Sequence, residues 1–175
     1  FMSIVFDETK MDGSIMITAS HLPYNRNGLK FFTKDGGLEH EDIEAVLHEA
    51  VSIPQQAADI ATVPSLDLIG IYARHLRDKI CAGIQAENYD QPLAGLHIVV
   101  DAGNGAGGFF ADQVLEKLGA NTSGSLYLDP DGMFPNHIPN PENQAAMEAI
   151  RGAVLANKAD LGLIFDTDVD RMSAV

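Results

Sequence analysis

The sequence predicts an α/β protein with three-layer α/β/α domains, in which helices cover both faces of mostly parallel sheets. Three observations carry this prediction. Residues 96–101 (Leu-His-Ile-Val-Val-Asp) and 161–165 (Leu-Gly-Leu-Ile-Phe) are apolar runs with the length and composition of strands buried on both sides. Between them lie two stretches whose apolar residues recur at helical spacing and end in helix-stop or helix-start signals. The connections are short, and strands joined through helices pair in parallel.

The chain has 175 residues, 46% of them apolar, enough for one or two domains with cores of their own. Eleven basic residues stand against 25 acidic ones, a net charge of −14. Nucleic acid and anionic membrane surfaces both need a positive footprint, so neither is expected as a partner. A small phosphate needs only a local positive pocket and stays open. Cys81 is the single cysteine, so no internal disulfide can form, which fits a cytoplasmic protein. No stretch approaches the roughly 18 consecutive apolar residues of a membrane span, and no basic segment precedes an apolar leader. The sequence opens on Phe1 in strand-like residues and reads as a piece of a larger protein.

Residues 2–6 predict a strand, 7–12 a polar connection, 14–18 a second strand and 29–33 a third, with Asp35-Gly36-Gly37 as a break. Ile43, Val46, Leu47, Ala50 and Val51 share one face of a helix whose first turn holds Glu41, Asp42 and Glu44, where the dipole favours anions. His40 and His48 belong to its surface. Pro54 and Pro64 bracket a connection between domains. This places the division at 1–64 and 65–175. Ser65 is a suitable N-cap for a helix burying Leu68, Ile69, Tyr72, Leu76 and Ile80 and ending near Gly83. After Pro92 and Gly95 comes the buried strand at 96–101. A helix from about Ala106 to Leu118 follows, with Phe110, Val114, Leu115 and Leu118 inward and Gly119 past its end. Residues 126–128 predict a strand and 129–140 a Pro- and Asn-rich loop. Asn140-Pro141-Glu142 predicts a helix start by cap, proline and acid in turn, with Ile150 and Val154 buried. The last strand, 161–165, carries Asp166-Thr-Asp168-Val-Asp170-Arg171 at its C-terminal edge, where sites in such sheets lie.

Residues 13–30 are harder to explain as packing. The apolar run Ile15-Met16-Ile17 stops at Thr18-Ala19-Ser20-His21, and Pro23, Asn25, Arg26, Asn27, Gly28 and Lys30 follow. A strand therefore delivers Ser20 and His21 onto an exposed turn. A hydroxyl nucleophile needs a neighbouring acid/base or a cation to be useful. Lys30 could supply the first. The three alternate aspartates could supply the second, because Mg²⁺ takes carboxylates together with phosphate and water. The bland alternative for the aspartates is a solvated acidic turn with no cation.

The motifs T-A-S-H-x-P-x-x-x-N-G-x-K and D-x-D-x-D-R resemble those of the α-D-phosphohexomutase superfamily, the phosphoglucomutases and phosphomannomutases. The resemblance covers essentially the whole chain. It implies the later part of domain I and most of domain II of a four-domain mutase, without domains III and IV. It implies transfer of a phosphoryl group between C1 and C6 of a hexose phosphate through a bisphosphorylated sugar, with a glucose 1,6-bisphosphate-type activator. Ser20 would carry the phosphoryl group, and Mg²⁺ would be held by Ser20, Asp166, Asp168 and Asp170. Arg171 would bind phosphate, while Lys30 and His21 would handle the proton of the sugar hydroxyl. Leu22 stands where many members have Asn.

Two other resemblances compete. Gly103-Asn-Gly105-Ala-Gly107-Gly108 contains G-x-G-x-x-G between strand and helix, with Asp129 21 residues beyond Gly108, as in dinucleotide-binding domains. Such glycines also serve any tight βα turn, and the mutases carry a similar structural D-x-G-N-G segment. The strand before D-T-D-V-D also resembles the nucleophile loop of haloacid-dehalogenase-like phosphatases. That chemistry would make Asp166 the phosphorylated residue and needs a downstream lysine and further acids, whereas the sequence ends at Val175. A non-catalytic Mg²⁺-binding or structural module is the remaining alternative.

Overall fold

The computed structural model describes residues 12–19, 22, 24–54 and 65–175. The expected strand at 2–6, all but the end of the connection that follows it, most of the inter-domain stretch, and both Ser20 and His21 lie outside the described residues. The chain divides into two compact units, residues 1–18 with 27–68 and residues 19–26 with 69–175.

In the first unit, β1 (Ser14–Ile17) pairs antiparallel with β2 (Leu29–Thr33), Ser14 facing Phe32 and Ile17 facing Leu29. The Thr18 N–H donates to the Gly28 carbonyl at 3.0 Å and carries the pairing one residue further. At the predicted break the chain turns within two residues and returns as β3 (Gly36–Gly37), Thr33 facing Gly36. The described strands of this sheet are therefore antiparallel, where the sequence predicts mostly parallel pairing; the two-residue turn after Thr33 leaves β2 and β3 no other choice. The helix α1 (His40–Ser52) begins at a reciprocal cap: the Glu39 side chain accepts from the backbone of Asp42, and the Glu39 N–H donates to the Asp42 carboxylate at 3.1 Å. Its apolar stripe is as spaced, yet no residue of α1 is buried, and Val51 is 90% exposed.

The second unit is the three-layer domain. The strand β4 (Ile98–Asp101) pairs parallel with β5 (Leu161–Phe165), Ile98 facing Leu161 and Asp101 facing Ile164, and β6 (Met172–Ala174) returns antiparallel on β5. All four residues of β4 are buried. Because successive side chains of a strand point to opposite faces, the alternation sorts the core into two layers. Ile98, Val100, Leu163 and Phe165 pack with Ala73 and Cys81 of α2 (Leu68–Ile84) and with the helical segment 106–118. Val99 and Ile164 pack with Ala146, Ile150 and Ala153 of α3 (Gln144–Asn157). The Arg77 guanidinium, on α2, donates to the Gln113 carbonyl at 2.5 Å and ties α2 to the helical segment.

Several elements of this unit also differ from the sequence prediction, and on α2 Ile69 is 41% exposed rather than buried. Residues 106–118 are helical, but as a 3₁₀ turn (Ala106–Gly108), a wide π-turn (Phe110–Leu115) and a second 3₁₀ turn (Glu116–Leu118), closed by Gly119 at φ 94°. Residues 126–128 make only a bridge, Leu126 to Asp101, because Tyr127 takes φ 52° and leaves the extended region. Asn140 does not cap α3. Its side chain accepts the Glu142 N–H at 2.9 Å in a local turn, and the cap is Asn143, which accepts the Ala146 N–H at 3.2 Å. Asn143→Ala should cost about 1 kcal/mol of stability, and Asn140→Ala clearly less, in urea unfolding followed by circular dichroism; the reverse order would restore Asn140 as the cap.

Candidate functional site

Parallel strands end together, so the C-terminal edges of β4 and β5 deliver their next residues to one place. Asp101 ends β4 and Asp166 follows β5, and both are fully buried. A buried carboxylate is tolerated only with compensation. Each is compensated by a loop that folds back over it.

Asp166 is held by Arg171. The Arg171 Nε donates to Asp166 Oδ2 at 3.0 Å and the Arg171 backbone N–H to Oδ1 at 3.1 Å, while the Asp166 N–H donates to the Arg171 carbonyl at 3.1 Å. Burial by itself would raise the Asp166 carboxyl, but the Arg171 N–H and guanidinium outweigh it and hold the group below the usual carboxylate range. Asp168 and Asp170 are exposed, and ligand oxygens of Asp166, Asp168 and Asp170 all lie within 4.8 Å of one another. Asp170 is pushed up, first by its hydrogen bond with Asp166 and then by the charges of Asp168 and Asp166. Three oxygen donors gathered this closely, with like-charge repulsion between them, suit a small hard divalent cation in chemistry and number.

The predicted site residues fall into three groups. Asp166, Asp168, Asp170 and Arg171 stand together on the loop between β5 and β6. Lys30 is exposed on β2 in the first unit, opposite Met16. Ser20 and His21 lie outside the described residues. The Arg171 Nε faces Asp166 and lies 3.7 Å from Asp170, with the side chain 39% exposed.

The glycine turn borders this loop and is built for close approach. The Ala106 N–H donates to the Thr167 carbonyl at 2.9 Å. A Cβ on Gly105 would lie 2.8 Å from that same oxygen, and a Cβ on Gly107 2.9 Å from the Phe165 ring. Asn104, at φ 61°, is occupied on every side: its Nδ2 donates to the Asp129 carbonyl, its Oδ1 accepts from Asn136, and its backbone bonds Tyr127 and Asp131. The G-x-G-x-x-G spacing is thus spent on packing loops against strands.

Sequence reasoning missed His137, the partner of Asp101. Its Nε2 lies 2.9 Å from Asp101 Oδ2 and 3.1 Å from Oδ1, its Nδ1 lies 3.0 Å from the Ile138 carbonyl, and its side chain is 5% exposed. A carboxylate and a carbonyl only accept, so both ring nitrogens donate and the imidazole is cationic. Asp101 Oδ1 also accepts the Gly103 N–H at 2.9 Å, and the Tyr127 ring meets the imidazole edge-on with centroids 5.3 Å apart. The available signal was Asp101 itself, an acid ending a fully apolar strand and therefore in need of a cation.

Comparison with known proteins bears on the whole chain. The family described as phosphoglucomutase/phosphomannomutase, alpha/beta/alpha domain II, matches residues 71–175, and its domain I counterpart matches residues 1–57. A phosphomannomutase/phosphoglucomutase of Pseudomonas aeruginosa is 35% identical over 161 residues, covering 92% of this chain and 32% of its own. A phosphoglucosamine mutase of Pseudoalteromonas atlantica is 36% identical over 170 residues, covering 95% of this chain and 36% of its own. A crystal structure of a phosphoglucomutase/phosphomannomutase family protein from Burkholderia thailandensis superposes with a TM-score of 0.67 at 28% identity, covering 94% of this chain and 33% of that one. The chain spans about a third of the length of these relatives.

The buried pair gives the second unit a pH dependence. The hydrogen bond to Asp101 raises the His137 pKa above the ordinary histidine value of about 6.5, against the opposing effect of burial, and the Ile138 carbonyl and the Asp101 charge add to the rise. A folded-state pKa above the unfolded one contributes stability in full below about pH 6.5, and that stability is lost as pH rises through the raised value. The unfolding temperature of the unit should therefore begin to fall as pH rises above about 6.5. His137→Gln should be less stable at the acid end and should flatten the profile; an unchanged profile in the variant would show that the imidazole is neutral.

Proposed function

The chain belongs to the phosphoglucomutase/phosphomannomutase family, and from that membership we propose that it supplies the phosphoryl-carrying serine and the cation site of a phosphohexomutase. Residues 1–64 form the later part of domain I and residues 65–175 domain II on this reading. The observation that carries it is the set of three aspartates with oxygens within 4.8 Å at the carboxyl end of β5.

The residues fit Mg²⁺, which Asp166, Asp168, Asp170 and a phosphoserine oxygen of Ser20 would hold, and which would there neutralise charge on the phosphoryl group. Phosphoryl transfer depends on positioning and charge neutralisation more than on covalent help. The P–O bond to Ser20 breaks as a bond forms to a hydroxyl oxygen of the hexose phosphate, and Lys30 takes the hydroxyl proton, with His21 as the second candidate. Transfer back to Ser20 from the other end of the bisphosphorylated sugar completes the exchange between C1 and C6. A glucose 1,6-bisphosphate-type activator primes Ser20. Arg171 fixes Asp166 in its ionised, ligand-ready form, and the rest of its guanidinium is available to phosphoryl oxygens.

The relatives named above act, by name, on mannose, glucose and glucosamine phosphates, so similarity of these residues does not select the sugar. That selection belongs to domains III and IV of the parent protein, and the 175 residues by themselves should not turn over a hexose phosphate.

Two measurements test the assignment. The intact parent enzyme carrying Ser20→Ala should take up no label from glucose 1,6-bisphosphate, whereas full labelling would place the phosphoacceptor elsewhere. Calorimetric titration of Mg²⁺ should give an affinity at least about tenfold weaker for Asp168→Ala than for the unmodified protein. Equal affinities would remove Asp168 from the ligand set.

A further inference from the structure

Residues 167–170 form a tight turn closing the hairpin of β5 and β6, with Phe165 facing Met172 and the Val169 N–H directed at the Asp166 carbonyl at 3.4 Å. Turns of this kind need a left-handed residue near their end, a place suited to Gly or Asn. Here it is Val169, at φ 67°. A β-branched side chain crowds the backbone in that region, so the conformation persists only if the surroundings hold it.

The surroundings do hold it. Val169 packs against the core layer that contains Phe165 and the helical segment 106–118. A Cβ on Gly107 would lie 2.9 Å from the Phe165 ring and 3.3 Å from Val169 Cγ2, so the absent side chain at 107 lets Val169 come close beside that ring. On the other arm of the loop, the Ala106 N–H fastens the Thr167 carbonyl at 2.9 Å. The glycine turn is therefore a seat, gripping the loop at Thr167 and at Val169. Asp168 lies between these two grips and Asp170 directly after the second. Both are exposed and like-charged, so they would move apart if the backbone between them were free.

We propose that Val169 is a positioning residue: seated against Gly107 in a left-handed backbone, it holds Asp168 and Asp170 at the spacing a divalent cation requires. The proposal rests on the cation reading of the aspartate cluster. Glycine at 169 would suit the backbone better and would also release the loop. Cation affinity should then fall without a matching fall in the stability of the fold.

Mg²⁺ titration by calorimetry, paired with thermal unfolding in the absence of Mg²⁺, separates these effects in the 175-residue chain and its variants V169G, V169A and V169I. V169G should bind Mg²⁺ about tenfold more weakly, with its unfolding temperature little changed because relief of backbone crowding offsets the lost side-chain contact. V169A, which shortens the plug but keeps a Cβ, should also bind more weakly. V169I, which refills the seat, should retain the affinity. Undiminished affinity in V169G and V169A would overturn the proposal and leave the cation reading standing. No Mg²⁺ uptake by the unmodified chain would remove the cation reading itself, and this proposal with it.

Discussion

Two carboxylates, Asp101 and Asp166, are fully buried at the ends of adjacent parallel strands, and the upper face of the second unit is arranged around neutralising them. An isolated charge in such a place costs several kcal/mol, so each has recruited a cation from a loop that would otherwise have no reason to fold back. His137 brings the Pro- and Asn-rich loop down onto β4, and Arg171 closes the acidic loop over β5. Among the described residues no buried side-chain nitrogen or oxygen lacks a partner. The compensation is complete for these two acids, whereas Asp168 and Asp170 are exposed, and Asp170 shares Arg171 at 3.7 Å.

The acidic loop shows how electrostatics and packing divide the labour. Arg171 fixes the oxygen positions of Asp166 through one side-chain and one backbone donor. Nothing comparable fixes Asp168, which depends on the backbone around it. That backbone is fixed by van der Waals contact with a turn that has no side chains at Gly105 and Gly107. A motif that looks like nucleotide recognition in sequence is here a bearing surface, and the shared glycines reflect a shared need for two backbones to come close.

Much of this was legible in the residues. The strand Leu161–Phe165 came out with the predicted ends, because an apolar run bounded by charge has one interpretation. The gathering of Asp166, Asp168 and Asp170 followed from their alternate spacing after a strand. Other features depend on information that a linear pattern does not hold. The Asn140 signal was complete by every local rule, yet Asn143 is the cap, since Asn140 is drawn into its own turn with Glu142. Residues 126–128 look like a strand until the backbone of Tyr127 turns left-handed beside Asn104. His137 pairs with an acid 36 positions away, and no periodicity links such positions. The exposed stripe of α1 was readable as a stripe, but not whether anything would cover it.

The seat beneath the acidic loop also limits how freely that loop can be inherited. A hairpin closed by its own ladder looks like a cassette, able to be cut from one sheet and spliced onto another with its carboxylates in place. Transplanted without a side-chain-free turn underneath, it would arrive with Val169 facing a methyl group or larger, and the graft would either splay or be rejected. The two segments, some sixty residues apart in the chain, therefore have to be exchanged together or not at all.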